Sequence, residues 1–273
     1  MDMNDVKNRG LVMLGCGKMG SAMLQGWLAQ GLPVGSVWVL DPHPNDWVQG
    51  LAGEGLHLNT DLPDDPAIVL IAVKPQMMEE ALPVLTPLGN GKTLFISVAA
   101  GKSLAFYEQA LGDNTPIIRA MPNTPAAISR GITALVGNGN TGDAELALAE
   151  SLLQAVGQTV RLENEAQIDA VTGVSGSGPA YVFLMIEALA AAGVEQGLPA
   201  DMAMQLAKAT VSGAGQLAEA SEEDPAQLRV NVTSPQGTTA AALEVLMDPE
   251  NGLPPLMKRA VAASTNRSKE LSK

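Results

Sequence analysis

Seven short apolar runs alternate with helical patterns between Gly10 and about Leu162, and this alternation limits the fold more than any other feature. The runs are LVMLG, SVWVLD, IVLIAVKP, TLFISVAAG, PIIRAMPNTP, ITALVG and QTVRLE. Strands that are buried between two layers of helices are apolar on both faces, so they form continuous apolar runs. The pattern therefore predicts an α/β fold, with a doubly wound sheet of parallel strands, for residues 1–162.

The pattern changes after Leu162, where the strand signals stop. The segment GPAYVFLMIEALAAAGVEQG places Val182, Met185 and Leu189 at helical spacing. The next segment, ADMAMQLAKATVSGAGQLAEA, carries few charges and many small residues. We therefore expect an all-helical second domain over residues 163–273. Because its polar face is sparse, we also expect these helices to bury against another subunit.

The charge balance limits the partners that the chain can bind. Lys and Arg total 16 against 29 Asp and Glu, and the net charge of -13 opposes non-specific binding to nucleic acid. No uninterrupted apolar run approaches the ~18 to 20 residues that span a bilayer, and the segment MDMNDVKNRG is polar. We therefore expect a soluble, cytoplasmic protein that binds neither membrane nor nucleic acid.

One cysteine, Cys16, is present in the whole sequence. A single cysteine excludes an internal disulfide and a metal site built from a cysteine cluster, so we expect no metal site. The glycine turn around Cys16 accounts for a small residue at this position.

The stretch LVMLGCGKMGSAM has the order strand, glycine loop, helix. Gly15 would allow a tight turn, Gly17 would let the backbone approach a pyrophosphate, and Gly20 would let the helix pack on the strand. Asp41 ends the second apolar run, about 20 residues after the last glycine, where such folds hold an acid for the ribose hydroxyls. A glycine turn without a ligand would explain the loop alone, whereas a dinucleotide site explains the loop and the acid together.

Three further loops follow strand ends, where open α/β sheets bind their ligands. The first two are AVKPQ, which contains Lys74, and SVAAG. In the third, RAMPNTPA, two prolines surround Asn123 and Thr124 and fix the direction of the backbone, as the wall of a site requires. A surface lysine and an ordinary turn are the alternatives for the first and third loops.

The acid that a ketone reductase needs for its developing alkoxide is missing. His43 and His57 are the only histidines, and both lie in the cofactor half. Hydroxyacid dehydrogenases of similar layout carry a catalytic Lys and an Asn after a glycine frame, but Val182 and Ile186 occupy those positions here. A protonated imine is already an electrophile, so its reduction needs mainly positioning and a hydroxyl near the nitrogen.

Two motifs, VTGVSGSGPAYVF (residues 171–183) and VTSPQGTTAAAL (residues 232–243), resemble those of pyrroline-5-carboxylate reductases. With the glycine loop, AVKP, SVAAG and MPNTP, the resemblance covers nearly the whole chain. It implies a Rossmann domain followed by a helical dimerisation domain, which reduces 1-pyrroline-5-carboxylate to L-proline with NADPH or NADH. It also implies a homodimer, which in this family often stacks as a decamer of five dimers.

The resemblance further implies roles for individual residues. The substrate carboxylate would lie on the loop formed by Ser234, Gly237, Thr238 and Thr239, and the Thr239 hydroxyl would meet the ring nitrogen as the catalytic group. The implied cofactor residues are Leu14, Gly15, Cys16, Gly17, Lys18, Met19, Asn59, Ala72, Val73, Lys74, Pro75, Val98, Ala99, Ala100 and Asn231.

The residues of the substrate loop make this role plausible by themselves. They supply hydroxyls and exposed backbone amides, and a helix beginning near Ala240 would direct its N-terminus at an anion. A capped helix after an ordinary turn would use the same residues.

Two residues depart from the family pattern. Gln236 stands where the family often has a second glycine, which affects the shape of the carboxylate loop. Asp41 stands where members that prefer NADPH tend to have a small hydroxyl residue, so its charge favours the use of NADH.

The alternative functions are a related imine or ketoacid reductase and a cofactor-binding regulator without catalysis. The intact SGSGPAY and SPQGTT loops favour the reductase.

Overall fold

The computed structural model describes residues 3–271, and its strands form one sheet with the order β3-β2-β1-β4-β5-β6-β7-β8. The strands are β1 (Leu11–Leu14), β2 (Val37–Leu40), β3 (His57–Leu58), β4 (Ile68–Ile71), β5 (Leu94–Ser97), β6 (Ile117–Met121), β7 (Gly131–Gly137) and β8 (Gly157–Arg161). All seven strands that the apolar runs predicted are present. The order of the first six strands is that of a dinucleotide-binding Rossmann sheet.

Two features of the sheet differ from the sequence-based expectation. Strand β3 has two residues and no apolar run of its own. Strands β6 and β7 pair antiparallel, whereas every other neighbouring pair is parallel. The β6–β7 connection, residues 122–130, is shorter than the about a dozen residues that a parallel crossover needs.

The helices of the first part of the chain are α1 (Met3–Arg9), α2 (Lys18–Ala29), α3 (Asp46–Ala52), α4 (Met78–Ala81), α5 (Leu104–Leu111), α6 (Asp143–Leu153) and α7 (Gln167–Val171). The later helices are α8 (Gly178–Glu195), α9 (Ala200–Ala220), α10 (Pro225–Asn231), α11 (Thr238–Leu246) and α12 (Leu253–Leu271). A single turn of π-helix, Thr172–Gly176, lies between α7 and α8.

Two apolar layers cover the faces of the sheet, as a doubly wound fold requires. In β1, Leu11 and Met13 belong to the layer that contains Trp27 of α2, while Val12 and Leu14 belong to the layer that contains Tyr107. Successive side chains of a strand point to opposite faces, so an apolar strand supplies both layers at once.

The chain divides into two compact units, one formed by Met1–Gly176 with Ser264–Lys273 and the other by Ser177–Ala263. The sequence pattern predicts a domain boundary after Leu162. The unit that contains the sheet continues past this point to the end of the π-helical turn, and it includes the last residues of α12.

The second unit is helical and buries few of its large apolar side chains. Helices α8 and α9 pack closely, since a Cβ built on Gly193 would lie 3.3 Å from the Cβ of Ala203. The exposed fractions of Phe183, Leu184 and Leu206 are 57%, 64% and 51%. Surfaces of this kind are typical of an interface between subunits.

The stretch Gln167–Glu195 is long and apolar enough, by length and composition, to cross a membrane, and 6% of its most apolar window is buried within the chain. The stretch is not an uninterrupted apolar run, because it contains the charged residue Glu187. One such stretch is weak evidence for a membrane span, since a helix that packs inside a soluble protein has the same composition.

Candidate functional site: a glycine loop and a hydroxyl-rich turn

The turn from β1 into α2 can be made only by glycine at residue 15. Gly15 has φ +85°, and a Cβ at this position would lie 2.8 Å from Cγ1 of Val73 and 3.1 Å from the carbonyl of Ala72. Both the left-handed backbone and the close neighbour exclude a side chain. The loop after β1 is thereby pressed against the loop after β4.

The other two glycines of the loop differ in their surroundings. A Cβ on Gly20 would lie 3.1 Å from the carbonyl oxygen of Gly15 and 3.3 Å from Cε of Met13, so α2 packs directly on β1. Gly17 is exposed, and within residues 3–271 no atom outside Gly17 and its two chain neighbours lies within 4 Å of a Cβ built on it. The loop therefore leaves open space at Gly17, where a phosphate ligand would come closest to the protein backbone.

Helix α2 begins at Lys18, directly behind this open space. The N–H of Ser21 makes the bond to the carbonyl of Gly17, at 2.8 Å, so the N–H groups of residues 18–20 precede the first bonded turn. Such N–H groups and the helix dipole favour an anion. The loop therefore meets the steric and electrostatic needs of a pyrophosphate.

Asp41 is fixed at the end of β2 by four hydrogen bonds. Its carboxylate accepts from the N–H of Cys16 (2.8 Å) and from the N–H of His43 (2.9 Å). Its backbone is held by Asn59, whose Oδ1 accepts from the Asp41 N–H and whose Nδ2 donates to the Asp41 carbonyl, each at 2.9 Å. A carboxylate offers about four lone-pair sites, so acceptor capacity remains for hydroxyl groups.

Asn59 has a left-handed backbone, with φ 52°, a conformation that asparagine adopts more readily than most residues. Its N–H donates to the carbonyl of Val39 at 2.8 Å, so the residue follows the edge of β2. Asn59 therefore shapes the position of Asp41, a role that no sequence motif indicates.

A groove of about 450 Å³ lies beside Asp41. Its lining residues are Leu14, Leu40, Asp41, Pro42, Asn59, Val73, Met77, Glu80, Ala81 and Val84. Four of these, Leu14, Asp41, Asn59 and Val73, are cofactor residues expected from the sequence. Apolar walls with one fixed carboxylate suit a flat base attached to a sugar.

A second groove, of about 350 Å³, adjoins the first and shares Leu40 and Val84 with it. Thr60, Asp61 and Asp64 belong to its lining. The sequence singled out none of these three residues, because no motif marks the segment after Asn59.

Cys16 is a packing residue with an inert thiol. It is 1% exposed, and burial raises the pKa of the Cys16 thiol to about 11, while the hydrogen bond with Ser21 opposes this rise and the charge of Asp41 adds to it. A protonated, buried thiol is a poor nucleophile. Its backbone N–H, bonded to Asp41, is the part of the residue that contributes to the site.

The loops after β4 and β5 continue along the same edge of the sheet as the glycine loop. The N–H of Ala72 donates to the carbonyl of Leu14 at 2.8 Å, and the N–H of Val98 donates to the carbonyl of Ile71 at 3.0 Å. Residues 72–75 therefore start beside the glycine loop, and residues 98–100 start beside the end of β4. Within these segments, Lys74 and Ala100 are exposed and Ala99 is buried.

The loop expected to bind the substrate forms a tight turn in the second unit. The N–H of Gly237 donates to the carbonyl of Ser234 at 3.0 Å, with Pro235 second in the turn and Gln236 third. Gln236 has φ 58°, and a positive φ at the third position is typical of a type II turn. Helix α11 starts at Thr238, two residues before the start near Ala240 that the sequence indicated.

The hydroxyl groups of this loop are accessible. Ser234 and Thr238 are exposed and Thr239 is half-buried. The N–H of Ala241 makes the bond to the carbonyl of Gly237, so the preceding amides of α11 lie in its first turn. The loop combines hydroxyls with a helix N-terminus, an arrangement that suits a carboxylate.

Asn231, the remaining cofactor residue expected from the sequence, ends α10 in the second unit. Its Nδ2 donates to Glu223 and its Oδ1 accepts from Nε2 of Gln227, each at 2.8 Å. The side chain is therefore oriented by two neighbours that the sequence did not identify.

No sequence motif marks a further, partly buried ion pair, in which the side chain of the acid, Glu165, is 32% exposed. Arg119 of β6 is 6% exposed and donates to Glu165 at 2.5 Å. The same Glu165 oxygen accepts from the N–H of Leu104, at the start of α5. Within the described residues, 3–271, there is no group of three or more His, Cys, Asp or Glu that could hold a metal ion.

Two family models match the chain. Residues 165–271 match the model described as "Pyrroline-5-carboxylate reductase dimerisation". Residues 11–101 match the model described as "NADP oxidoreductase coenzyme F420-dependent". A pyrroline-5-carboxylate reductase of Pseudomonas aeruginosa is 40% identical over 266 residues, which are 96% of each chain.

Solved structures agree with these matches. A pyrroline-5-carboxylate reductase from Coxiella burnetii is 36% identical and has a TM-score of 0.90, with 97% of this chain and 99% of that chain covered. The Plasmodium falciparum pyrroline carboxylate reductase with NADP bound is 27% identical and has a TM-score of 0.83, with 98% and 99% covered.

Proposed function

The chain belongs to the pyrroline-5-carboxylate reductase family, and we propose on this premise that it reduces 1-pyrroline-5-carboxylate to L-proline, the last step of proline biosynthesis. The observation that carries the proposal is the 40% identity to a pyrroline-5-carboxylate reductase over 96% of both chains. The glycine loop and the hydroxyl-rich turn supply the two binding functions that this reaction requires.

The residues of the first unit fit a nicotinamide dinucleotide. The open space at Gly17 and the amides of α2 bind the pyrophosphate, and the groove beside Asp41 takes the adenosine. The loops at residues 72–75 and 98–100 continue along the sheet edge toward the nicotinamide end. When bound, the reduced cofactor supplies the hydride that the imine carbon accepts.

Asp41 sets the choice between NADH and NADPH in this proposal. Its two oxygens are held by backbone N–H groups, so the carboxylate cannot easily turn away from a ribose in the adjacent groove. A fixed negative charge accepts hydrogen bonds from ribose hydroxyls and repels a 2′-phosphate. NADH is therefore used at least as well as NADPH.

The loop Ser234–Thr239 binds the substrate. The carboxylate accepts hydrogen bonds from the Ser234 and Thr238 hydroxyls and from the amides at the start of α11, while Gly237 allows its close approach. The Thr239 hydroxyl meets the ring nitrogen. Because the protonated imine is the electrophile and the product is an amine, the site needs no further acid, in agreement with the absence of a suitable histidine or lysine in the motif.

The assembly is a homodimer formed by the helices after residue 165, and five such dimers form a decamer. The exposed apolar side chains of α8 and α9 support the dimer, because they need a partner to leave water. A second copy also accounts for the apolar stretch Gln167–Glu195 in a soluble, cytoplasmic protein. A molar-mass measurement in solution distinguishes a dimer from a decamer.

The function is tested by following NADH and NADPH oxidation with pyrroline-5-carboxylate, hydroxyisobutyrate and pyruvate in parallel. We expect turnover with pyrroline-5-carboxylate and none with hydroxyisobutyrate or pyruvate. Turnover with another imine or a ketoacid would favour a related reductase. Tight cofactor binding without turnover of any compound would favour a regulator.

A further inference from the structure

Two asparagines hold opposite ends of the antiparallel pair β6–β7 with the same chemistry. At one end, Oδ1 of Asn138 accepts from the N–H of Ile117 (3.1 Å) and its Nδ2 donates to the carbonyl of Thr115 (2.9 Å). Asn123 makes the equivalent bonds at the other end. Its amide group donates to the carbonyl of Ser175, which lies outside the two strands.

Asn123 joins β7 to the π-helical turn. Its Oδ1 accepts from the N–H of Ile132 at 2.9 Å, and its Nδ2 donates to the carbonyl of Ser175 at 3.2 Å. Ser175 belongs to the turn Thr172–Gly176 and lies 52 positions after Asn123 in the sequence. This bond therefore fixes the turn to the sheet from outside its own segment.

The π-helical turn lies at the carboxyl end of β6. A Cβ built on Gly176 would come within 3.9 Å of Sδ of Met121, the last residue of that strand. Single π-helical turns are uncommon in proteins, and those that do occur are often found at functional sites. Here the hydroxyls of Thr172 and Ser175 donate to carbonyls one turn back, at 2.9 Å and 3.2 Å, and support the unusual geometry.

The order of the strands places this turn relative to a dinucleotide. The groove beside Asp41 lies at the ends of β1, β2 and β4, while β5 and β6 follow in the direction away from β2. A dinucleotide whose adenosine occupies this groove extends along the carboxyl edge toward β5 and β6. Asn123 is thus at the reacting end, whereas Asn138 is at the amino end of β6.

We propose that Asn123 is a positioning residue for the reduction, which fixes the π-helical turn as a rigid wall of the nicotinamide end of the site. The inference rests on the proposed function. Asn123 acts through the backbone of Ser175, so its loss changes the placement of the reacting groups while the adenosine groove stays intact. A small displacement of reacting groups lowers the rate more than it lowers the affinity for the cofactor.

The test compares Asn123→Asp with Asn138→Asp. The first variant keeps the acceptor for the Ile132 N–H and removes the donor to the Ser175 carbonyl. The second keeps the acceptor for the Ile117 N–H and removes the donor to Thr115 and to Glu108, so it is a matched loss at the opposite end. Asn123→Ser and Asn138→Ser form a second pair without an added charge, and this pair decides the test if an Asp variant does not fold.

Three quantities are measured for each variant: the single-turnover rate of NADH oxidation, the NADH dissociation constant from fluorescence, and amide hydrogen exchange of residues 172–176. For Asn123→Asp we expect a rate lower by about tenfold or more, a dissociation constant within about twofold of wild type, and faster exchange in the turn. The melting temperature of each variant is recorded as a control. For Asn138→Asp we expect a rate within about twofold of wild type, even if its melting temperature falls as far as that of Asn123→Asp.

An Asn123 variant with the wild-type single-turnover rate overturns the inference, and so does an Asn138 variant that loses rate by the same factor. A wild-type protein that binds NADH but does not oxidise it with pyrroline-5-carboxylate overturns the proposed function instead, before any variant is compared.

Discussion

The carboxylate of Asp41 accepts a hydrogen bond from the backbone N–H of Cys16, with 2.8 Å between Oδ2 and N. This bond connects the end of β2 to the glycine loop after β1. The residue proposed to bind the ribose therefore also holds the loop proposed to bind the pyrophosphate. Substitutions at Asp41 and Cys16 are expected to affect each other's surroundings.

The buried thiol of Cys16 is expected to make stability depend on pH in the alkaline range. Its pKa is raised by burial from 9.0 to about 11, so the folded state keeps the proton that the unfolded state loses. This contribution is complete below pH 9 and is lost as the pH rises toward 11, with a slope of at most about 1.4 kcal/mol per pH unit.

Urea unfolding of wild type and Cys16→Ala between pH 8 and about 11 measures this contribution as a difference, in which the other titrating groups cancel. The free energy of unfolding of the wild type should fall more steeply with pH. Parallel curves for the two proteins would contradict the assigned pKa.

The Thr239 hydroxyl is expected to serve the substrate and not the cofactor. Thr239→Val should lower kcat/KM for pyrroline-5-carboxylate by the loss of one hydrogen bond, about 1 to 3 kcal/mol, with cofactor affinity nearly unchanged. Thr233→Val is the control, because it removes a nearby hydroxyl that donates to the carbonyl of Arg229. Wild-type kinetics in the Thr239 variant would refute the assignment.

Gln236 is expected to cost stability at its left-handed position. A side chain in this conformation costs about 1 to 2 kcal/mol relative to glycine, which itself loses about 0.5 to 1 kcal/mol of chain entropy on folding. Gln236→Gly should therefore raise the free energy of unfolding slightly, whereas Gln236→Ala keeps the backbone cost and should not. Equal stability of the two variants would show that φ 58° carries no penalty here.

The helices after residue 177 are expected to bring the substrate loop of one subunit to the cofactor groove of its partner. Asp41→Arg, which blocks the groove, and Thr239→Val should then complement each other when mixed and reassembled. Half of the reassembled dimers are hybrids with one intact site of two, so about a quarter of the wild-type rate should return. Activity no higher than that of the separate variants would place both functions in one subunit.

The strands and the glycine loop could be predicted because their signals are local. Each apolar run is decided by neighbouring residues, and the order strand, loop, helix lies within Leu11–Ala29. The spacing to Asp41 and the resemblance then brought Leu14, Asp41, Asn59 and Val73 to one site, and these residues do line one groove.

The contacts that fix the site could not be read in the same way. Asn123 meets Ser175 across 52 residues, and Arg119 meets Glu165 across 46. Such pairs depend on how distant elements pack, and an isolated Asn or Arg has no periodic pattern that would reveal its partner. The antiparallel pairing of β6 and β7 also depends on loop length more than on strand composition.

Asp41 is expected to decide the cofactor preference. Asp41→Ser should remove the repulsion of a 2′-phosphate and also a ribose contact, so KM for NADPH should fall while KM for NADH rises. Each change should be about tenfold if a charge-assisted bond of roughly 1.5 kcal/mol is involved.

Asp41→Asn separates the two roles of the residue, since its amide oxygen can still accept the Cys16 N–H while the charge is lost. If Asp41→Asn lowers KM for NADPH without raising KM for NADH as far as Asp41→Ser does, the bond to Cys16 supports the glycine loop. If neither variant changes either KM, the carboxylate does not face the ribose, and the neighbouring His43 becomes the first residue to test.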